Sequence, residues 1–152
     1  MQIGYLITAF FGFVLSTACY AGISDDADFA LARWAAAYTS NDIGSVVANY
    51  WPDATLLGTT SPVMSEGEDA IRSYFASVIK PGNRNVIGDR RALVIDDSAV
   101  LITGFYEFTR IRDGVAVQGP SRFSMLMIKR GAAWRILHHH SSPYVAASIP
   151  AK

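Results

Sequence analysis

The second half of the chain consists of four long runs of β-forming residues separated by short polar turns. Val, Ile, Phe and Tyr are abundant in these runs, and such residues are typical of strands. Asp113-Gly114 between two of the runs is a strong hairpin signal, and Asp96-Asp97 and Arg130-Gly131 separate the others. The pattern predicts an antiparallel meander with the strands "RALVI", "AVLITGFYEFTRI", "VAVQGPSRFSMLMIK" and "AWRILHHHSSP".

The first half of the chain follows a helical period instead. Leu31, Trp34 and Tyr38 recur at helical spacing, so the first helix would lay an apolar, aromatic stripe on the rest of the fold. Ser24-Asp25-Asp26 supplies N-cap and first-turn chemistry, which predicts that this helix begins there.

Two shorter helices and one strand are predicted to follow. Asn41-Asp42 can cap a short helix that ends at Pro52, and "ATLLGTT" reads as a strand. "SEGEDAIRSYFASVI" reads as a third helix, in which Ser65 and Glu68 have the spacing of a capping box. The predicted inner faces are Ile43, Val46, Val47 and Tyr50 for the second helix, and Ile71, Tyr74, Phe75 and Val78 for the third.

Helices followed by an antiparallel meander predict an α+β domain. Because the strands are long, the sheet should twist and curl around the aromatic helix. This arrangement would leave a cone-shaped cavity on the concave side of the sheet. No repeat or low-complexity linker divides residues 22–152, so a single domain is predicted there.

Residues 1–21 differ from the rest because they contain no charged side chain. An apolar run followed by Cys19-Tyr20-Ala21 is typical of a secretory signal peptide, which predicts cleavage after Ala21 and a secreted or periplasmic protein without stable membrane association. The segment lacks Lys and Arg, so an uncleaved membrane anchor is one alternative. A lipoprotein anchor at Cys19 is another, although Ser16 stands where a lipobox has a branched apolar residue. Cleavage would leave the mature chain without cysteine, and hence without a disulfide or a thiolate nucleophile.

The charge composition argues against one class of partner. Lys and Arg number 13, Asp and Glu also number 13, and the formal net charge is zero. Nucleic-acid-binding proteins carry a clustered basic excess, so no nucleic-acid partner is expected. The sequence also has no Gly-rich dinucleotide fingerprint, phosphate loop or Gly-x-Ser-x-Gly nucleophile elbow, and we expect no cofactor.

Three segments, "NYWPDATLLGTTSP", "EDAIRSYFASVI" and "SRFSMLMIKRGAAWRILHHHSSP", resemble the nuclear transport factor 2-like superfamily. The most specific piece is the closing Gly-x-x-Trp-x-Ile-x-His-His-His-Ser-Ser pattern. It is most similar to the SgcJ/EcaC and calcium/calmodulin-dependent protein kinase II association-domain branch. The resemblance implies the cystatin-like cone fold, a pocket, and a homo-dimer or higher homo-oligomer. Members of the superfamily include isomerases, dehydratases, polyketide cyclases and non-catalytic binding modules, so no single activity is implied.

The resemblance also implies a cavity that is less basic than that of the association domains of this kinase, which are its hub domains. Those domains are similar to this chain at Trp134, His138 and His140. Their pocket arginines fall at three positions that here are Glu107, Met125 and Ser141.

The three histidines of the chain are consecutive, at positions 138–140. Strand alternation puts His139 and Ser141 on the face opposite to Ile136. Because Ser141 corresponds to a pocket arginine of the hub domains, the resemblance implies that His139 faces the cavity. A β-bulge in this strand would change the assignment of faces.

Three interpretations of the histidine cluster remain open. His138 and His140 could form a metal-ligand pair, although a third ligand would have to be Asp or Glu, and no metal site is predicted. They could instead be sheet or interface residues bonded to their neighbours. His139 could act as a general acid or base, since an unperturbed imidazole titrates near pH ~6.5. Glu107 would be its catalytic partner if it faced inward, where burial would raise its pKa, and would otherwise pair with Arg122.

The predicted pocket is apolar with few polar groups, which suits a small apolar or carbonyl-bearing molecule. The aromatic residues of the first helix would form its helical wall, or would be ordinary core residues. Tyrosine and serine hydroxyls could donate to a ligand oxygen, and an inward arginine would steer an anion. The predicted ligand-binding residues are Trp34, Tyr38, Tyr50, Tyr106, Arg122, Met125 and Ser141.

Three functions therefore remain open. The first is an exported domain that binds a small molecule in its cavity and forms a homo-oligomer. The second is a cofactor-independent isomerase, dehydratase or cyclase that uses His139 with Glu107 or a tyrosine. The third is a structural oligomerisation module, in which side chains would fill the pocket.

Overall fold

The computed structural model describes residues 15–144, with side chains from residue 22 onward. The chain forms three helices and six strands within this range. The helices are α1 (Leu15–Ser40), α2 (Ile43–Val47) and α3 (Gly67–Val78), and the strands are β1 (Tyr50–Leu57), β2 (Met64–Glu66), β3 (Arg84–Asp96), β4 (Ala99–Arg112), β5 (Val115–Arg130) and β6 (Ala133–Pro143).

The six strands form one sheet in the order β2-β1-β6-β5-β4-β3. The predicted α+β class and the meander β3-β4-β5-β6 are confirmed, and every pair in the meander is antiparallel. One pair in the sheet departs from the antiparallel pattern, because β1 pairs with β6 in parallel, with Leu56 opposite His139. This long-range pair brings the first strand of the chain beside the histidines of the last.

The hairpin between β4 and β5 turns at Asp113-Gly114, as predicted. Arg112 pairs with Val115, so only two residues form the loop. Their φ angles are 50° and 77°. Two positive φ angles in succession are typical of a type I′ turn, which matches the twist of the flanking strands and favours glycine at the second position.

Two predicted helix starts are wrong. α1 is continuous from Leu15, so Ser24–Asp26 lie inside it and do not begin it. Ser65 belongs to β2, and α3 follows Glu66 without a side-chain cap, so the capping box does not form. The cap of α2 is confirmed, because the Asp42 carboxylate accepts a hydrogen bond from the Gly44 N–H at 2.8 Å.

The core lies between α1 and the concave face of the sheet. Leu31, Trp34 and Tyr38 of α1 are buried there, as their spacing predicted. Tyr50, expected on α2, is instead the first residue of β1 and points into the same core. This core fixes the positions of the side chains that approach the histidine strand.

Within residues 15–144, no helix is long and apolar enough to span a membrane. The predicted signal peptide covers residues 1–21, and residues 1–14 lie outside the described part of the chain. Cleavage after Ala21 therefore stays a prediction.

Candidate functional site

A β-bulge at Leu137 decides which way the histidines point. Leu126 of β5 pairs with His138, and Met127 pairs with Ile136, so Leu137 is an extra residue in β6. The predicted inward orientation of His139 is confirmed, since this side chain is buried. The predicted opposition of Ile136 and His139 is wrong, because the bulge turns both side chains into the core.

His139 is held between two tyrosine hydroxyl groups. The Tyr50 Oη lies 2.8 Å from Nδ1 of His139, and the Tyr106 Oη lies 3.2 Å from Nε2. A neutral imidazole has one N–H and one lone pair, so one ring nitrogen donates to a tyrosine and the other accepts from a tyrosine. The three side chains form a buried polar chain, which we call the Tyr50–His139–Tyr106 cluster.

Burial keeps the Tyr50–His139–Tyr106 cluster uncharged. Loss of solvation lowers the pKa of His139 to about 3, and the neighbouring His138 and His140 act in the same direction. Loss of solvation also raises the pKa of both tyrosines. At neutral pH the imidazole is therefore neutral and both phenols keep their protons.

Trp34 of α1 adds a weakly paired donor to the same region. Its ring meets the His139 ring edge-on, with the ring centres 5.2 Å apart. Its indole N–H is buried without a well-formed hydrogen bond, and it lies close enough to the Tyr50 hydroxyl to lower the pKa of that phenol. A buried donor without a well-formed hydrogen bond costs free energy, so an acceptor oxygen placed beside it would stabilise it.

The cavity at the cluster is nearly filled by side chains, as the structural-module hypothesis predicted. The open cone-shaped cavity expected from the sequence is not present in the described part of the chain. The free volume at the cluster is about 10 Å³, which is room for about one water molecule. Half-buried Tyr74 of α3 closes one side, and its ring occupies the space that a Cβ on Gly58 would need. The lining residues are Trp34, Tyr38, Leu56, Gly58, Thr59, Tyr74, Phe75, Val78, Tyr106, Phe108, Arg110, His139 and Ser141.

The structure brings most of the sequence-predicted site residues together. Trp34, Tyr38, Tyr106, His139 and Ser141 line the cavity, and Tyr50 bonds to His139. The Ser141 hydroxyl forms a short hydrogen bond with the hydroxyl of Thr59, which follows β1. A polar rim therefore borders the aromatic interior.

Three predicted site residues lie elsewhere. Glu107 and Arg122 are exposed on the convex face of the sheet, so a His139–Glu107 acid–base pair is excluded as a direct contact. Alternation explains this, because Tyr106 and Phe108 on either side of Glu107 point inward. Met125 is fully buried on the inner face but packs in the core and does not line the cavity.

His138 and His140 also lie on the convex face. Nδ1 of His138 is 2.7 Å from the Thr55 hydroxyl of β1, while His140 is exposed. Among the described residues, no group of three His, Cys, Asp or Glu side chains is arranged to hold a metal ion. The sheet-residue interpretation accounts for the contact of His138.

Eight of the lining residues were not predicted as site residues, Tyr74 and Arg110 among them. Tyr74 was expected only as part of the buried face of α3, yet it is the side chain that covers the cavity. Arg110 was not singled out, although it shares the inward alternation of Tyr106 and Phe108, and this signal could have identified it.

Comparison with known proteins identifies the family of the domain. A family model described as "SnoaL-like domain" matches residues 28–147. The chain belongs to the SnoaL-like family. No curated protein sequence matches this SnoaL-like chain.

Solved structures with the same fold include a calcium/calmodulin-dependent protein kinase II association-domain-like protein from Xanthomonas campestris. It is 28% identical, with a TM-score of 0.70 over 76% of this chain and 82% of that one. A ketosteroid isomerase-like protein from Erwinia carotovora is 19% identical, with a TM-score of 0.69 over 81% and 97%. A dehydratase-like NTF2-family protein from Streptomyces avermitilis is 13% identical, with a TM-score of 0.75 over 83% and 99%. The last two establish similarity of fold alone.

Proposed function

We propose that this SnoaL-like domain binds a small molecule with an acceptor oxygen, such as a carbonyl, in the cavity beside His139. The observation that carries the proposal is the buried Trp34 N–H, which lacks a well-formed hydrogen bond and lies beside the Tyr50–His139–Tyr106 cluster. Donors that converge in an aromatic enclosure are typical of a ligand site with one polar anchor.

Binding requires Tyr74 to move. The closed cavity of about 10 Å³ has no room for an organic molecule. Tyr74 is half-buried, and its ring lies against Gly58, which has no side chain. Rotation of Tyr74 would join the enclosed space to the solvent without moving a strand.

The test is an NMR titration that follows the indole N–H signals with acetophenone and with ethylbenzene, which lacks the carbonyl. We expect acetophenone to shift the Trp34 signal saturably, and to do so more strongly in Tyr74→Ala than in Ser73→Ala, a control on the exposed side of α3. Trp51 is an internal control because its N–H already donates to the Ile128 carbonyl at 2.9 Å. If acetophenone left the Trp34 indole N–H signal unshifted in both variants, the result would contradict the proposal.

A second candidate function is proton transfer at a carbon next to a carbonyl, as a cofactor-independent isomerase, dehydratase or cyclase would perform. Contact of His139 with two tyrosine hydroxyls supports it, because a phenol can donate to a forming enolate. A pKa of about 3 makes His139 a weak base, so binding is the first proposal. Deuterium exchange into the acetophenone methyl group tests the activity, and we expect His139→Ala to abolish any protein-dependent exchange.

We also propose that the domain is exported and self-associates. Export rests on the composition of residues 1–21. Self-association is supported by apolar side chains on the convex sheet face, where Leu57, Leu93 and Phe105 are exposed. Exposed apolar groups on a sheet face favour contact with a second copy. N-terminal sequencing of the protein from its host and sedimentation equilibrium test the two statements.

A further inference from the structure

Arg110 lies on the inner face of β4 at the edge of the cavity. Its guanidinium stacks over the Phe108 ring at 4.9 Å from the ring centre. Gly119 of β5 pairs with Phe108, and a Cβ at Gly119 would lie 3.2 Å from Nη1 of Arg110. The absence of a side chain at Gly119 therefore leaves space for the guanidinium.

The charge of Arg110 has no carboxylate partner among the described residues. Its Nε is buried without a hydrogen-bond acceptor. Burial raises the pKa of Tyr38, and the charge of Arg110 and its hydrogen bond to the Tyr38 hydroxyl oppose that rise. A guanidinium without a carboxylate partner can still pair with an external anion through its remaining donors.

An open cleft of about 280 Å³ adjoins Arg110 on the solvent side. Three of its lining side chains are cations, Lys80, Arg110 and Arg112, and none is acidic, although the whole chain has zero net charge. Arg110 and Val78 line both this cleft and the interior cavity. The residues that line the cleft are Thr60, Ser77, Val78, Lys80, Asn83, Arg110, Ile111 and Arg112.

We propose that this cleft binds a phosphoryl group, as a phosphate monoester or as free phosphate. A phosphoryl group carries a charge of about −2 near neutral pH and three strong acceptor oxygens, which suit a cleft lined by three cationic residues and no acidic one. Arg110 supplies a planar fork held on Phe108, while Lys80 supplies a point charge. The cleft shares Arg110 and Val78 with the interior cavity but contains no residue of the Tyr50–His139–Tyr106 cluster, so phosphoryl binding on its solvent side does not require a ligand beside His139.

An NMR titration of the Arg110 Nε–Hε signal tests the proposal with phenyl phosphate, inorganic phosphate and benzoate at pH 7.5. We expect saturable shifts with both phosphates and affinity for benzoate at least about tenfold weaker, since benzoate carries one charge and two acceptor oxygens. Tighter binding of phenyl phosphate than of inorganic phosphate identifies an ester as the ligand, and equal binding identifies free phosphate. Benzoate binding as tightly as phenyl phosphate would overturn the proposal.

Variants distinguish phosphate binding in the cleft from nonspecific attraction to positive side chains. Arg110→Gln and the double variant Lys80→Gln/Arg112→Gln should each weaken phenyl phosphate binding about tenfold or more, while Arg122→Gln on the convex face should not change it. Lys80 and Arg112 are exposed, so the double variant keeps the fold even if Arg110→Gln does not. Equal affinities in the double variant and in Arg122→Gln would also overturn the proposal.

Discussion

The Tyr50 hydroxyl and Nδ1 of His139 lie 2.8 Å apart, although 89 positions separate the two residues in the chain. The contact exists because β1 inserts beside β6 in parallel, with Tyr50 opposite Ile136. It places a phenol and an imidazole in an apolar enclosure where each depends on the other for a hydrogen bond. The stability of the fold and the chemistry of the cavity are therefore coupled at this pair.

Tyr50→Phe should lower the free energy of unfolding by about 1–3 kcal/mol, because it leaves a buried ring nitrogen of His139 without a partner. Urea unfolding measures this loss. Tyr144→Phe is the matched control, since Tyr144 is only half-buried and its ring meets the Phe105 ring edge-on on the convex face. Equal losses in the two variants would mean that the Tyr50 hydrogen bond contributes nothing specific.

His139 should make the fold less stable as the pH falls from about 6.5 toward 3. Its folded pKa is lowered to about 3, mainly by burial, while the unfolded chain has the ordinary value of ~6.5. The unfolded state therefore binds the proton first, and the contribution is complete above pH ~6.5 and declines below it. The expected slope is about 1.4 kcal/mol per pH unit inside that window.

Urea unfolding between pH 6.5 and 4.5 checks this slope, with His139→Gln as the comparison. Four aspartates with a lowered pKa also make the fold less stable as the pH falls, but their contribution to the free energy of unfolding is lost only at lower pH. They are Asp28, Asp42, Asp53 and Asp96. The pKa of His138 is lowered too, by burial and by His140, and its contribution is present in both proteins. If wild type and variant had the same slope in this range, His139 would not be the buried neutral group described here.

The meander could be predicted from the sequence because its signals are local. Asp113-Gly114 specifies the turn, and apolar alternation specifies the faces of β4 and β5. The parallel pairing of β1 with β6 could not be predicted in this way, because the local sequence of β1 does not specify which distant strand it pairs with. The predicted start of α1 at Ser24–Asp26 is wrong because a good capping residue also fits inside a longer helix.

The site was only partly accessible to sequence reasoning for a related reason. In β4, the alternation of side chains correctly puts Tyr106 on the inner face. In β6, the bulge at Leu137 shifts the alternation by one residue. Glu107 is titratable, yet its strand position makes it an outer residue. Arg110 follows the alternation of Tyr106 and Phe108 and points inward.

Self-association should depend on the convex face. Leu57→Asp combined with Phe105→Asp should shift the sedimentation equilibrium toward the monomer at micromolar concentration, because each change places a charge in an apolar contact. Val63→Asp is the control, as Val63 is apolar and 65% exposed but lies in the segment between β1 and β2. A monomeric wild type, or an equal shift with Val63→Asp, would refute this assignment.

The cover over the cavity can be tested with a double-mutant cycle between Gly58 and Tyr74. A Cβ at Gly58 would overlap the end of the Tyr74 ring, so Gly58→Ala should displace the ring and lower the free energy of unfolding by about 1–3 kcal/mol. In a Tyr74→Ala background the overlap is gone, and the same glycine substitution should cost about 0 kcal/mol.

Exchange of the Trp34 indole N–H with D₂O gives the second readout of this cycle. Gly58→Ala should speed that exchange because displacing Tyr74 lets water reach the buried indole, whereas the paired indole of Trp51 should keep its rate. If Gly58→Ala cost the same in both backgrounds and left Trp34 protected, Tyr74 would be ordinary packing and the ligand route proposed here would be wrong.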